Sequence, residues 1–197
     1  MEKRHSFFKS QFNTRESGDG KKYITGYFAL FDQETELWEG MFEKIAHGAF
    51  DDTIASDDIR CLFNHNTDIV LGRNKNSTLV LRADEKGLYG EVEINQEDSE
   101  AVNAYARVKR GDVTGCSFGF DSTAEERIER DNGVLYIVKT AKLYEVSPCT
   151  FPAYPQTEIQ ARKKVFEADS KKAFSERKSA IKKKLEEIIS FANDLEA

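Results

Sequence analysis

Residues 114–120 read TGCSFGF. Side chains alternate across a strand, so a period of two sorts this stretch into two faces. Cys116, Phe118 and Phe120 fall on one face, and Gly115, Ser117 and Gly119 on the other. The first face is bulky and apolar and calls for a core. The second carries one hydroxyl with a bare glycine on either side. Glycine weakens a strand and marks the close approach of another backbone or a ligand. Ser117 is therefore either a serine satisfied by its neighbours or one with space cleared around it.

Outward from this stretch, strand-like patterns dominate. Residues 5–14 and 22–31 are rich in aromatic residues and are joined by the turn GDG at 18–20. Residues 36–45 read as a further strand, and 58–65 as another. Segments 70–73, 77–82 and 87–94 read as a meander. Residues 125–130 and 134–146 pair around the turn DNG. Two helices interrupt the strands. The first spans 47–56, with Phe50 and Ile54 on one face. The second spans 98–110, where Ala101, Val102, Tyr105 and Val108 recur at helical spacing and Gly111 is placed to end it. Many short strands with few helices imply an antiparallel barrel or sandwich with helices packed outside. Periodicity does not choose between the two.

The C-terminal part differs in composition. Residues 162–197 carry a net charge of +3, against −9 for residues 1–161. A folded body over 1–161 and a charged helical tail over 162–197 are expected. Ile181, Leu185, Ile188, Ala192 and Leu195 form a short coiled-coil-like seam on that tail. The three prolines, Pro148, Pro152 and Pro155, cluster in SPCTFPAYPQT, which reads as a rigid non-repetitive loop.

Overall charge excludes some classes. A net charge of −6 argues against a general nucleic-acid binder. No apolar run approaches the roughly 20 residues that span a bilayer, and the N-terminal residues lack a signal peptide's apolar core. Cys61, Cys116 and Cys149 are an odd number without paired spacing, which reads as reduced thiols in a cytoplasmic protein. No zinc-ligand spacing is present, so neither metal nor cofactor is expected.

A serine becomes a nucleophile when a base takes its proton and a third group orients that base. The histidines are His5, His47 and His65. His65 closes the strand-like DIRCLFNHN, where a side chain is rigid yet open to solvent. It is either a loop-bonding histidine or that base. Glu145 stands in LYEVS among apolar residues, and an acid there is either at a wet strand edge or paired for a purpose. Asp68, Asp112 and Asp121 sit where a solvated carboxylate needs no explanation. Cys116 is the rival nucleophile, but its face is that of the phenylalanines, as for Cys61 between Ile59 and Phe63. Gly115–Gly119 also matches G-x-S-x-G, the pattern of an esterase elbow, which requires a strand–turn–helix setting.

The order of motifs resembles the prohead (head-maturation) serine proteases of tailed phages, a family related in fold to the herpesvirus assemblins. The resemblance rests on GYFALFD (26–32), HGAF (47–50), FNHN (63–66), LG (71–72), DEKGLYGEVEI (84–94), GDVTGCSFGF (111–120) and LYEVSPCTFPAYPQT (143–157). It implies an antiparallel β-barrel surrounded by helices and a Ser–His dyad at Ser117 and His65. Herpesvirus assemblins use a second histidine as the third member; no histidine follows His65 here, and Glu145 takes that place. His47, where the family more often has proline, receives no catalytic role. The resemblance also implies oxyanion donors in the loop after Glu145, from Cys149, Thr150, Phe151 and Ala153, and a substrate track beside Gly115 and Gly119. It implies major capsid and scaffold proteins as substrates, self-processing, a conditionally formed homodimer or higher oligomer, and work inside an immature prohead in the host cytoplasm. A non-enzymatic capsid assembly or scaffolding protein on the same fold is the alternative.

Overall fold

A computed structural model of the chain describes residues 4–9 and 12–150. The expected helical tail, Phe151, Ala153 and the last two prolines lie outside these residues. The elements in chain order are β1 (Arg4–Lys9), β2 (Asn13–Glu16), β3 (Lys22–Leu30), β4 (Thr35–Trp38), β5 (Met41–Ile45), α1 (Asp51–Ser56), β6 (Arg60–Phe63), β7 (Asn66–Arg73), β8 (Leu79–Ala83), β9 (Gly87–Glu93), α2 (Ser99–Arg110), β10 (Gly115–Arg130) and β11 (Gly133–Cys149). A single 3-10 turn, Asn74–Asn76, links β7 to β8.

The architecture is mainly β, with two sheets. One holds seven strands, ordered β1-β10-β11-β5-β4, with β6 and β7 attached to β11 through β6. The other holds four, ordered β2-β3-β9-β8. Among the described residues no strand pairing closes either sheet on itself, so the expected barrel is not found there. Pairing is mostly antiparallel. The exceptions are β5 and β6, both parallel to β11 along different parts of its length. Among the described residues no helix is long and apolar enough to cross a membrane.

Both sheets contribute to one core. Ile24 and Phe28 from β3 and Leu88 and Val92 from β9 meet Cys116, Phe118 and Phe120 from β10 and Leu143 and Val146 from β11, each of them 1 % exposed or less. The face read from TGCSFGF is thus the buried one. Phe118 stacks against Phe120 and meets Phe50 edge-on. The two short helices pack at the margins, α1 on β8 and β11 and α2 on β2, β3 and β7. In α2, the Asp98 side chain accepts the Glu100 N–H at 2.9 Å, and Gly111 at φ +87 closes the last turn. Its buried residues are Ala101, Ala104, Tyr105 and Val108; Ala104 takes the place expected for Val102.

Several expected elements are redrawn. Residues 5–14 divide between β1 and β2, which join different sheets. Residues 36–45 are a hairpin, with Gly40 at φ +76 in its turn. Residues 114–130 form one strand of 16 residues from Gly115, without the expected break before Glu125. Ser147, Pro148 and Cys149 belong to β11, opposite Ser117, Cys116 and Gly115, so the proline-rich stretch begins as strand rather than loop. Pairing with β10, together with the Asn64 N–H bond to Pro148 O, satisfies backbone that a loop there would leave bare.

Candidate active site

The site is assembled on β11. Its residues 145 and 146 pair with Arg60 and Cys61 of β6, in parallel. At the end of β6 the chain reverses in two residues: Phe63 pairs with Asn66, leaving Asn64 and His65 as the turn. Their φ values are +53 and +59, the pattern of a type I′ hairpin turn. His65 is therefore a turn residue, not the last residue of a strand as the sequence suggests. The left-handed region costs a residue with a β-carbon about 1–2 kcal/mol, so the turn needs external support. It receives it from β11 and the residue beyond. Asn64 N–H donates to Pro148 O at 3.1 Å, and Thr150 N–H donates to Asn64 Oδ1 at 2.8 Å. Asn64 Nδ2 reaches Thr150 Oγ1 at 3.3 Å, and His65 N–H reaches Ser147 Oγ at 3.3 Å.

These bonds present the imidazole to Glu145. His65 Nδ1 lies 2.7 Å from Glu145 Oε1. The side chains are 18 % and 10 % exposed, so the pair is largely withdrawn from water. An ionised carboxylate only accepts hydrogen bonds, so Nδ1 carries the proton and the neutral ring keeps Nε2 as its acceptor. The second carboxylate oxygen, Oε2, accepts the Ser147 hydroxyl at 2.6 Å.

A bulge aims Glu145. Gly119 pairs with Glu145, but Phe120 pairs with Leu143, leaving Tyr144 as the extra residue on β11. The insertion keeps Val146 and Leu143 both in the core while Glu145 points to the opposite face, a common use of bulges beside functional sites. Ser117 is on that opposite face too. It pairs with Ser147, and directly opposed residues share a face with Cβ atoms about 4.5–5.5 Å apart. Gly119, opposite Glu145, contributes no side chain there. The fold thus brings Ser117, Glu145 and His65 to one face of the sheet. Both faces of the strand are covered, however, and Ser117 is 1 % exposed.

The other candidates separate on the same geometry. Cys116 Sγ points into the core, 3.4 Å from Phe28 O. Burial first, then the Glu145 charge, pushes the Cys61 thiol well above its ordinary range and Cys149 up to about 12. All three cysteines are buried. His47 meets Phe31 edge-on, with ring centroids 5.3 Å apart. Asp68 is exposed, and Asp112 is bonded to Arg110. Asp121 differs from expectation: it is 5 % exposed in mid-strand, with Oδ2 accepting from Tyr144 OH at 2.7 Å and Oδ1 meeting no hydrogen-bond donor among the described residues. The elbow reading of G-x-S-x-G fails, because Ser117 lies inside a strand paired on both sides rather than at a turn into a helix. Of the proposed oxyanion amides, Thr150 N–H is engaged by Asn64, Cys149 lies opposite Gly115, and Phe151 and Ala153 lie outside the described residues. Among the described residues no cluster of His, Cys, Asp or Glu could hold a metal ion.

Ser147 and Asn64 were missed in the sequence. The alternation in E-V-S places Glu145 and Ser147 on one face and could have signalled the first. Nothing local signals the second, whose partners lie 84 or more residues away along the chain.

The family model described as Caudovirus prohead serine protease matches residues 9–172. The chain is 32 % identical over 153 residues to the prohead protease of Enterobacteria phage HK97, across 76 % of this chain and 64 % of that protein. The chain thus spans under two thirds of that relative's length. No solved structure matches.

Proposed function

We propose that this chain, which belongs to the caudovirus prohead serine protease family, is a serine endopeptidase that processes capsid and scaffold proteins, and itself, inside the immature prohead. The observation that carries the reading is the 2.7 Å contact between His65 Nδ1 and Glu145 Oε1 on the sheet face that holds Ser117. With Nδ1 committed to Glu145, His65 Nε2 takes the proton of Ser117 as Oγ attacks the peptide carbonyl. The imidazolium so formed is stabilised by the Glu145 carboxylate. It then protonates the leaving amine, and water releases the acyl group by the same route. The oxyanion needs main-chain donors, and Cys149, Thr150, Phe151 and Ala153 are proposed to supply them. Using Thr150 N–H would require it to leave Asn64. Gly115 and Gly119 leave room for the substrate backbone beside Ser117. A homodimer or higher oligomer is part of the same reading.

Ser117→Ala tests it. Co-expressed with its capsid protein, the native chain is expected to truncate that protein and itself, as intact mass would record. The variant should leave both at full length with an unchanged melting temperature. Processing by the variant would exclude the serine mechanism. The alternative, a non-enzymatic assembly module, predicts no labelling of Ser117 by a fluorophosphonate in concentrated or shell-bound protein.

A further inference from the structure

Ser147 has no part in the mechanism above, yet it is fully buried and touches two of its members. Its hydroxyl owns one hydrogen, given to Glu145 Oε2 at 2.6 Å. It accepts the His65 main-chain N–H at 3.3 Å. With the 2.7 Å contact from Glu145 Oε1 to His65 Nδ1, the bonds close a ring. The ring starts at the backbone of His65, passes through Ser147 and Glu145, and returns to the imidazole of the same residue.

We propose that Ser147 is the positioning residue of the site, fixing both the Glu145 carboxylate and the His65 turn. The proposal rests on the reading of Ser117, His65 and Glu145 as a catalytic triad. Glutamate has a freely rotating carboxylate, and a hydrogen bond to Oε2 leaves Oε1 turned to the ring. A charge-assisted bond from a hydroxyl is short and strong, and this one spans 2.6 Å. The second bond acts on the backbone. His65 sits at φ +59, a conformation its own side chain disfavours, and Ser147 holds its N–H. At 0 % exposure, no bulk water stands ready to replace the hydroxyl. Ser147 is also the cross-strand partner of Ser117. It is not the nucleophile, because its proton goes to the carboxylate and not to the imidazole.

The test uses the full chain with Ser147→Ala, Ser147→Cys and Ser117→Ala. Three quantities are read: the rate of fluorophosphonate labelling, mapped to a residue by peptide mass; the His65 tautomer, by imidazole nitrogen NMR; and amide hydrogen exchange at His65. Native protein should hold the Nδ1–H tautomer. Ser147→Ala should label more slowly by roughly ten- to a hundredfold, the scale of a misplaced catalytic group. It should also give a mixed tautomer and faster exchange at His65. Ser147→Cys, close in size and a weak donor, should fall between, and it carries the test alone if the alanine variant does not fold. Native labelling with a native tautomer in these variants would overturn the proposal. So would slower labelling with the tautomer unchanged, which is the signature of lost packing. Ser117→Ala separates the two levels. It should end labelling and leave the tautomer native. Labelling that persists there overturns the triad, and labelling that maps to Ser147 overturns both.

Discussion

His65 and Cys149 show how one buried charge sets the chemistry around it. Glu145 accepts from the imidazole and lies near the Cys61 and Cys149 thiols. The same charge that supports a cation disfavours a thiolate. Burial is the larger cause for the thiols, and together the two hold Cys149 near 12 against an ordinary 9.0. The sign follows from the charged form being the deprotonated one. Below pH 9.0 both folded and unfolded chains keep this proton, and the contribution to stability is intact. Between 9.0 and about 12 the unfolded chain loses it and the folded chain does not, so stability falls as pH rises. At pH 8 the native Cys149 thiolate is depleted about a thousandfold relative to an ordinary thiol. Iodoacetamide should therefore leave the native protein unmodified at pH 8 and label three cysteines in urea, with mass spectrometry as the readout. Rapid native labelling of Cys149 would contradict this.

At the scale of elements, the β10–β11 hairpin is the spine to which the rest is attached. Its length hides three separate demands. The Phe118 and Leu135 ends need burial, the Tyr144 bulge turns Glu145, and the hairpin turn must fit beside the turn of β4 and β5. That last contact is tight. Gly133 sits at φ +140, and a β-carbon there would stand 2.0 Å from Gly40 O. Gly40 O already accepts the Val134 N–H at 2.8 Å, so the backbone cannot retreat without losing a ladder bond. Gly133→Ala is expected to cost roughly 2–3 kcal/mol and to lower Tm by about 5–10 °C. A scanning calorimeter would check it, and an unchanged Tm would mean that the two turns are not held together. The redrawn elements have the same origin. Gly40 is a lone glycine in a strand-like run, and its turn follows from the contact with Gly133, which no local pattern encodes. Residues 121–124 look polar enough for a loop, but β11 pairs with Asp121, Ser122 and Ala124, and the strand passes Thr123 as an irregularity rather than a break.

Among the described residues there is one core fed by two sheets, and its buried apolar residues run from Ile24 to Cys149. The charge change at 162 is proposed as the edge of that folded body. A chain ending at residue 161 is expected to melt in one transition within a few degrees of the full chain and to label at Ser117 with fluorophosphonate. Failure to fold would place residues beyond 161 in the core. The sequence by itself determined the β character, α2 with its C-terminal glycine, the apolar face of β10 and the identity of Ser117, His65 and Glu145 as candidates. Those rest on periodicity, capping chemistry and residue type, all of which act over a few neighbours. Only the tertiary structure decided the rest: two sheets that no pairing among the described residues closes, the parallel docking of β6 on β11, the left-handed turn at His65, and Ser147 beneath it. The last three depend on contacts between segments some 80 residues apart. Register across such a gap is set by packing the whole core at once, not by any local pattern.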